Sequence, residues 1–149
     1  MKTQLNKEES QHLIDLGIPK EKASKVAVKQ IQNWDRKPRK NPKEYVVNVP
    51  HTPIVMGFET FEEHPIFTLD DFLNGEILPR LLPKGNNKHY KLTIHTTENL
   101  KWSVSYLDMD NYVDFYHMNT LKVEVELIDA LYQLTCWYYG EHLKNMDEA

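Results

Sequence analysis

Apolar residues recur at helical spacing in two stretches near the N-terminus. The first stretch predicts a helix over residues 7–16, in which Asn6 and Glu9 form a capping box at the start. Gly17 stands where the left-handed cap of this helix belongs. The second stretch, 19–34, carries an apolar stripe at spacings of three and four residues, formed by Ala23, Val26, Ala27, Ile31 and Trp34. The pattern therefore predicts an antiparallel pair of short helices.

The next part of the chain, residues 35–65, follows neither a helical nor a strand period. Five prolines interrupt it, and each restricts the preceding residue to extended conformations; they are Pro38, Pro42, Pro50, Pro53 and Pro65. We expect an extended, proline-rich connecting segment, with residues 45–47 and 54–56 as short edge strands.

A short central helix follows this segment. Thr68 and Asp71 have the spacing of a second capping box, and they predict a helix start at this point. The buried side of the helix is expected to consist of Leu69, Phe72 and Leu73. Pro79 and Pro83 argue against regular structure beyond it, and residues 84–87 have the composition of a turn.

Alternating apolar and polar residues over 90–95 and 101–106 predict an antiparallel hairpin, because this period gives a strand one buried and one exposed face. Residues 113–115 are expected to continue it as a third strand. A last helix over about residues 124–142 carries a wide apolar arc suited to packing on a sheet, formed by Leu127, Leu131, Leu134 and Tyr138. The chain is thus predicted to be a single α+β domain, 1–149, in which a three-stranded meander is covered on one face by the C-terminal helix.

The composition is that of an ordinary globular domain. The chain has 149 residues, of which 40% are hydrophobic and 27% are charged. Its one cysteine, Cys136, excludes an internal disulfide framework and the cysteine-rich zinc patterns. Because the first ten residues are polar and no apolar run is long enough to cross a bilayer, we expect a cytoplasmic protein without a membrane partner.

Charge is distributed unevenly along the chain. The net charge is −4, yet residues 20–43 contain nine basic residues and only two acidic ones. Such asymmetry favours either a nucleic-acid-binding surface or a basic arm that lies on an acidic body. We prefer the second interpretation, because no aromatic side chains interleave the basic run as a base-stacking surface would require. The candidate nucleic-acid contacts are Arg36, Lys37, Arg39 and Lys40.

Three blocks of sequence resemble a family of small uncharacterised proteins carried by prophages and conjugative elements of gut Bacteroidetes. The blocks are residues 11–24, residues 67–79 and residues 127–137, and the hairpin with Trp102 and Tyr106 lies between the second and the third. The resemblance implies a genomic setting and a fold. It implies no activity and no functional residue.

The candidate catalytic and metal-binding groups have simpler structural interpretations. Asp70 and Asp71 lie in a helical first turn, where carboxylates are stabilised by the helix dipole. The stretch from Asp108 to Asp114 begins like a calcium loop, but the glycine and glutamate that such a loop requires are missing. Cys136 and its nearest helical histidine, His142, point about 240° apart around the helix.

The leading functional hypothesis is therefore a non-enzymatic accessory protein that binds another protein or itself. It uses no cofactor and no metal, and its protein-contact rim is expected at Tyr132 and Tyr139. Nucleic-acid binding through residues 20–43 is the alternative. A metal-assisted enzyme that uses Glu62, His64 and neighbouring acids ranks last.

Overall fold

The structure is a computed structural model that describes residues 1–32, 37–38, 40–49, 60–85, 88–108 and 122–144. Within these residues, three strands lie between the first and second helices and four between the second and third, so the strands outnumber the helices. The helices are α1 (Lys7–Asp15), α2 (Leu69–Asn74) and α3 (Leu127–Trp137). The strands are β1 (Lys25–Gln32), β2 (Glu44–Asn48), β3 (Thr60–Ile66), β4 (Leu81–Gly85), β5 (Lys88–Thr96), β6 (Trp102–Asp108) and β7 (Lys122–Glu124).

Helix α1 begins and ends where its sequence predicts. The Asn6 side chain accepts a hydrogen bond from the Glu9 amide at 2.8 Å, and the Glu9 carboxylate accepts one from the Asn6 amide at 3.1 Å. Gly17 has φ +115°, a conformation that side chains disfavour. The amide of Ile18 then bonds back to the Leu13 carbonyl at 3.1 Å, so both helix ends are satisfied.

The prediction of a second N-terminal helix over residues 19–34 is wrong. A single 3-10 turn, Lys20–Lys22, precedes β1, which is the central strand of a sheet with the antiparallel order β2-β1-β3. Val26, Ala27 and Val28 are all buried, so both faces of β1 are covered at these positions. The β-branched valines suit such a strand, and hydrogen bonding to two neighbours outweighs the helical spacing of the apolar residues.

The two neighbours of β1 come from the segment that was expected to be connecting chain. Val28 lies opposite Tyr45 of β2 on one side and Glu63 of β3 on the other. The edge strand predicted at residues 45–47 is confirmed as part of β2. The strand predicted at residues 54–56 lies outside the described residues.

A second, four-stranded antiparallel sheet has the order β4-β5-β6-β7. The hairpin of β5 and β6 is confirmed, and Ile94 lies opposite Val104 in its register. Strand β4 was not predicted, because Pro79 and Pro83 argued against it; Pro83 is accommodated because β4 lies at the edge of the sheet. The predicted third strand at 113–115 is outside the described residues. The structure has two antiparallel sheets where the sequence predicted one meander and a pair of helices. The predicted α+β layout is therefore wrong.

Helix α3 covers the second sheet, as its apolar arc indicated. Leu131 and Leu134 are fully buried in one cluster with Val104 and Tyr106 of β6. The Tyr106 hydroxyl donates a hydrogen bond of 2.7 Å to the carbonyl of Pro79, so this large aromatic residue is buried without an orphaned polar atom. A π-helical turn, Tyr138–His142, continues α3.

The first residues of the chain are held against two distant elements. Leu5 donates its amide hydrogen bond to the Phe67 carbonyl at 2.9 Å, just before α2. The Lys2 amide donates to the Glu126 carboxylate at 2.9 Å, and the Lys2 ammonium forms an ion pair of 2.7 Å with Asp129 of α3. The N-terminal segment therefore joins the start of α2 to the start of α3.

Candidate functional site: an apolar groove beside α2

The position of α2 is fixed by one buried carboxylate. Asp71 Oδ2 accepts hydrogen bonds from the Thr68 amide at 2.8 Å, from the Ser24 amide at 3.0 Å and from the Ser24 hydroxyl at 3.1 Å. The Thr68 hydroxyl in turn accepts from the Asp71 amide, which confirms the predicted capping box. Asp71 is only 6% exposed, so it ties the start of β1 to the start of α2 and has a structural role.

The end of α2 turns the chain sharply toward the second sheet. A Cβ atom on Gly75 would lie 2.4 Å from the Asp71 carbonyl oxygen, so only glycine fits at this position. Glu76 then adopts φ +56°, a left-handed conformation that costs a residue with a side chain about 1–2 kcal/mol. This turn places Ile77 and Leu78 in the core.

A groove of about 320 Å³ lies between α2, the start of β4 and the outer part of β5. Buried or partly buried side chains from three elements and the turn after α2 form its floor; they are Phe72, Leu78, Leu92 and Leu131. Two further apolar side chains line it and remain exposed to solvent: Leu73 at 39% and Ile94 at 37%. Leu81 borders the groove at the start of β4, but its side chain lies on the opposite face of the sheet, with that of Lys91. The groove is therefore apolar in its floor and in much of its wall.

The rim of the groove carries one charge of each sign, from Arg80 and Glu76. Lys91 also borders the groove, but the alternation along β5 places its side chain on the face opposite Leu92 and Ile94. Within the part of the chain that the structure describes, Arg80 forms no ion pair.

Sequence reasoning missed this groove, although two of its residues gave a signal. Leu73 was expected on the buried side of α2, and Ile94 on the dry face of the hairpin. Both are more than one third exposed. A residue with a core pattern that the described chain leaves uncovered is a candidate contact for another molecule.

The predicted rim tyrosines contact other parts of this chain. Tyr132 faces the His12 ring of α1 edge-on, with the ring centroids 6.3 Å apart, and burial raises the pKa of its hydroxyl. The Tyr139 hydroxyl donates a hydrogen bond of 2.7 Å to the Ile77 carbonyl, and burial raises its pKa as well. Both side chains are partly buried against the core, and neither lines the groove.

The candidate metal-binding residues Glu62 and His64 form a pair at the surface of β3. His64 Nε2 and a Glu62 carboxylate oxygen lie 2.9 Å apart, and this hydrogen bond lowers the pKa of Glu62. Among the described residues, no group of three or more histidine, cysteine, aspartate or glutamate side chains is arranged to hold a metal ion. Metal-assisted catalysis through this pair stays a prediction that the structure does not support.

The basic segment is spread over several elements. Lys37 and Lys40 are exposed, whereas Arg36 and Arg39 lie outside the described residues. Lys22 donates a hydrogen bond of 3.2 Å to the Gly75 carbonyl. Nucleic-acid binding through residues 20–43 therefore stays a prediction.

The thiol of Cys136 is not poised for nucleophilic chemistry. Burial raises its pKa, and the thiolate is the reactive form. The stretch of 108–114 with calcium-loop character lies outside the described residues beyond Asp108.

Comparison with models of protein families, with curated proteins and with solved structures finds no match to this chain. The resemblance to the family from prophages and conjugative elements therefore stays a prediction. No helix among the described residues is both long and apolar enough to cross a membrane.

Proposed function

We propose that the protein is a non-enzymatic binding module and that its groove beside α2 holds part of another protein. The observation that carries this proposal is the exposure of Leu73 and Ile94 above an apolar floor. Exposed apolar side chains that cluster around a concavity and border charged residues are typical of protein contact sites. Covering them would remove apolar surface from water, which is the main driving force of association.

The groups that suggested catalysis have other roles in this fold, which supports a binding function. Asp71 accepts three hydrogen bonds that hold α2 and β1 together. Burial raises the pKa of Cys136 and so disfavours its thiolate. Glu62 and His64 pair with each other at the surface.

The proposal extends to the setting of the protein. With the resemblance described above, we propose an accessory role in a prophage or conjugative element. We also propose a cytoplasmic location, where a single unpaired thiol such as Cys136 stays reduced.

Site-specific photocrosslinking in the native host tests whether the groove meets another protein. A photoreactive amino acid replaces Leu73 at the groove, and in a control protein it replaces Leu100, which is 85% exposed in the turn between β5 and β6. We expect the groove position, and not the control position, to yield one discrete crosslinked partner. Equal crosslinking from both positions, or none, would contradict the proposal.

A matched pair of surface variants then measures the contribution of the groove. Leu73→Asp introduces a charge at the groove, and Val125→Asp introduces the same charge at an apolar residue that is 65% exposed outside it. The crosslinked partner, purified and titrated by calorimetry, should bind the Leu73 variant at least about tenfold more weakly, a loss of about 1.4 kcal/mol. It should bind the Val125 variant like the wild type, and equal binding to all three proteins would refute the assignment of the groove.

A further inference from the structure

The outer edge of β5 is only half covered by its neighbour. β5 runs from Lys88 to Thr96, but β4 pairs with it only as far as Lys91, which lies opposite Leu81. One more hydrogen bond follows, in which the Leu92 amide donates to the Arg80 carbonyl at 2.8 Å. Beyond this bond, β6 is the only strand beside β5 in the described part of the chain.

The directions of the backbone groups follow from that last hydrogen bond. In an antiparallel ladder, a residue directs its N–H and C=O to the same neighbour, and the next residue directs them to the opposite one. Since the Leu92 amide points toward β4, the backbone groups of Ile94 and Thr96 point to the same side. The Thr97 amide agrees with this alternation, because it donates to the Lys101 carbonyl at 2.7 Å across the hairpin.

Among the described residues, the backbone of Ile94 therefore has no partner at this edge. Its N–H and C=O point away from β6, and no described residue forms a hydrogen bond with them. A row of unpaired groups at a sheet edge is a template for another strand. This edge differs from an ordinary exposed one because the side chain of Ile94 also lines the apolar groove.

A strand added at this edge would meet the groove with half of its side chains. Successive side chains of a strand point to opposite faces, so every second side chain would lie on the same face as Ile94. Phe72 and Leu73 of α2 line the groove on that face. Apolar side chains at alternate positions of the added strand would therefore be buried, while its backbone pairs with β5.

We infer that the groove takes an extended segment of a partner protein, which adds to β5 at Ile94 as a further strand and buries apolar side chains at alternate positions between α2 and β5. This inference rests on the proposed function and specifies the shape and chemistry of the partner. An amphipathic helix is a poorer occupant, because its backbone hydrogen bonds are internal and would leave the Ile94 groups unpaired.

Amide hydrogen exchange measured by NMR tests the open edge in the free protein. We expect the amides of Ile94 and Thr96 to exchange fast, and those of Leu92, Thr93 and His95 to exchange slowly. Slow exchange at Ile94 in a monomer would mean that another part of this chain already occupies the edge, and it would overturn the inference. Slow exchange in a protein that light scattering shows to be a dimer would overturn it in favour of a second copy.

Peptides selected from a displayed random library supply the probe for the bound state. The selected peptides should contain apolar residues at alternate positions, and binding should slow exchange at Ile94. A selection that yields no peptide, or peptides with the period of an amphipathic helix, would overturn the inference.

N-methylation of the best peptide then tests the backbone pairing directly. Methylation of the alternate amides that face β5 should weaken binding by about fivefold to tenfold per hydrogen bond removed. Methylation of the other alternate amides, which face away from β5, should leave the affinity of the parent peptide unchanged. Equal effects of the two methylation patterns would exclude strand addition. If Leu73→Asp still abolished binding in that case, the groove would remain a protein-binding site and only the strand geometry would be wrong.

A substitution in the protein provides the matching evidence. Ile94→Pro removes the outward amide without removing a hydrogen bond to β6, and Ile94→Ala shortens the side chain but keeps the amide. We expect the proline variant to bind peptide at least about tenfold more weakly than the alanine variant. Equal affinities of the two folded variants would contradict the inference, and the N-methylated peptides decide the question if the proline variant does not fold.

Discussion

Replacing Asp71 by alanine should destabilise the whole domain, because its carboxylate joins two elements that are far apart in sequence. The substitution removes the acceptor of three hydrogen bonds, one from the Thr68 amide and two from Ser24. A hydrogen bond to a charged group contributes about 1.5–3 kcal/mol, and the three are not additive because they share one oxygen. We expect a loss of about 3 kcal/mol in the free energy of unfolding.

Asp70→Ala is the matched control for this change. Asp70 lies in the same first turn of α2 but is exposed, and its carboxylate accepts a hydrogen bond from the Asn74 side chain at the surface. Urea unfolding should show a loss of about 0.5 kcal/mol or less for this variant. For a domain of this size, the Asp71 variant should melt about 6–12 °C below the wild type. A loss below about 1 kcal/mol, or equal losses for the two variants, would refute the role assigned to Asp71.

Three further predictions concern the second sheet and its covering helix. Ser103 Oγ is buried without a hydrogen-bond partner among the described residues, whereas Ser105 Oγ lies 3.1 Å from the Thr93 hydroxyl. In urea unfolding, Ser103→Ala should therefore be neutral or stabilising and Ser105→Ala should cost about 1 kcal/mol; the reverse order would contradict this account. Burial raises the pKa of the Tyr106 hydroxyl above its ordinary value of 10.0. Just above pH 10, the unfolded state therefore loses the hydroxyl proton while the folded state keeps it. Stability should be unaffected by this group below pH about 10 and should fall as the pH rises further, with the ultraviolet signal of Tyr106 ionisation appearing only on unfolding. Because burial raises the pKa of Cys136, iodoacetamide near neutral pH should alkylate the native thiol at least about tenfold more slowly than the urea-unfolded one, and equal rates would count against a buried thiol.

Local signals in the sequence predicted the helix ends and the hairpin well. The capping boxes depend on side chains three residues apart, such as Asn6 with Glu9, and those contacts form wherever the helix lies. The β5–β6 hairpin depends on alternation over adjacent segments, which a short turn brings together. The apolar arc of α3 required only that some sheet be available to cover.

The errors arose where the deciding partner is distant in sequence. The apolar residues after Pro19 fit a helical spacing, but β1 forms because residues 44–48 and 60–66 supply neighbours on both sides of it. Pro83 is compatible with β4 because that strand lies at an edge, and a sequence does not reveal the order of strands in a sheet.

The candidate site could not be located from the sequence for a related reason. Leu73 and Ile94 carry an apolar pattern that is indistinguishable from that of core residues. Their exposure depends on the gap between α2 and the outer part of β5. The Gly75 turn and the hydrogen bonds of Asp71 set the position of α2 and therefore the width of this gap. The open backbone edge likewise depends on the length of β4 relative to β5.

The attachment of the N-terminal segment has a consequence for how fast the native state can assemble. Lys2 bonds to Glu126 and Asp129, more than 120 positions away, and Leu5 lies in one cluster with Leu134. Native contacts that enclose such long loops form slowly, because the loop must close before the contacts stabilise it. During synthesis, the apolar faces of α2 and β6 stay exposed to chaperones until α3 has emerged from the ribosome. Folding of the domain is therefore completed only after the last helix has been made.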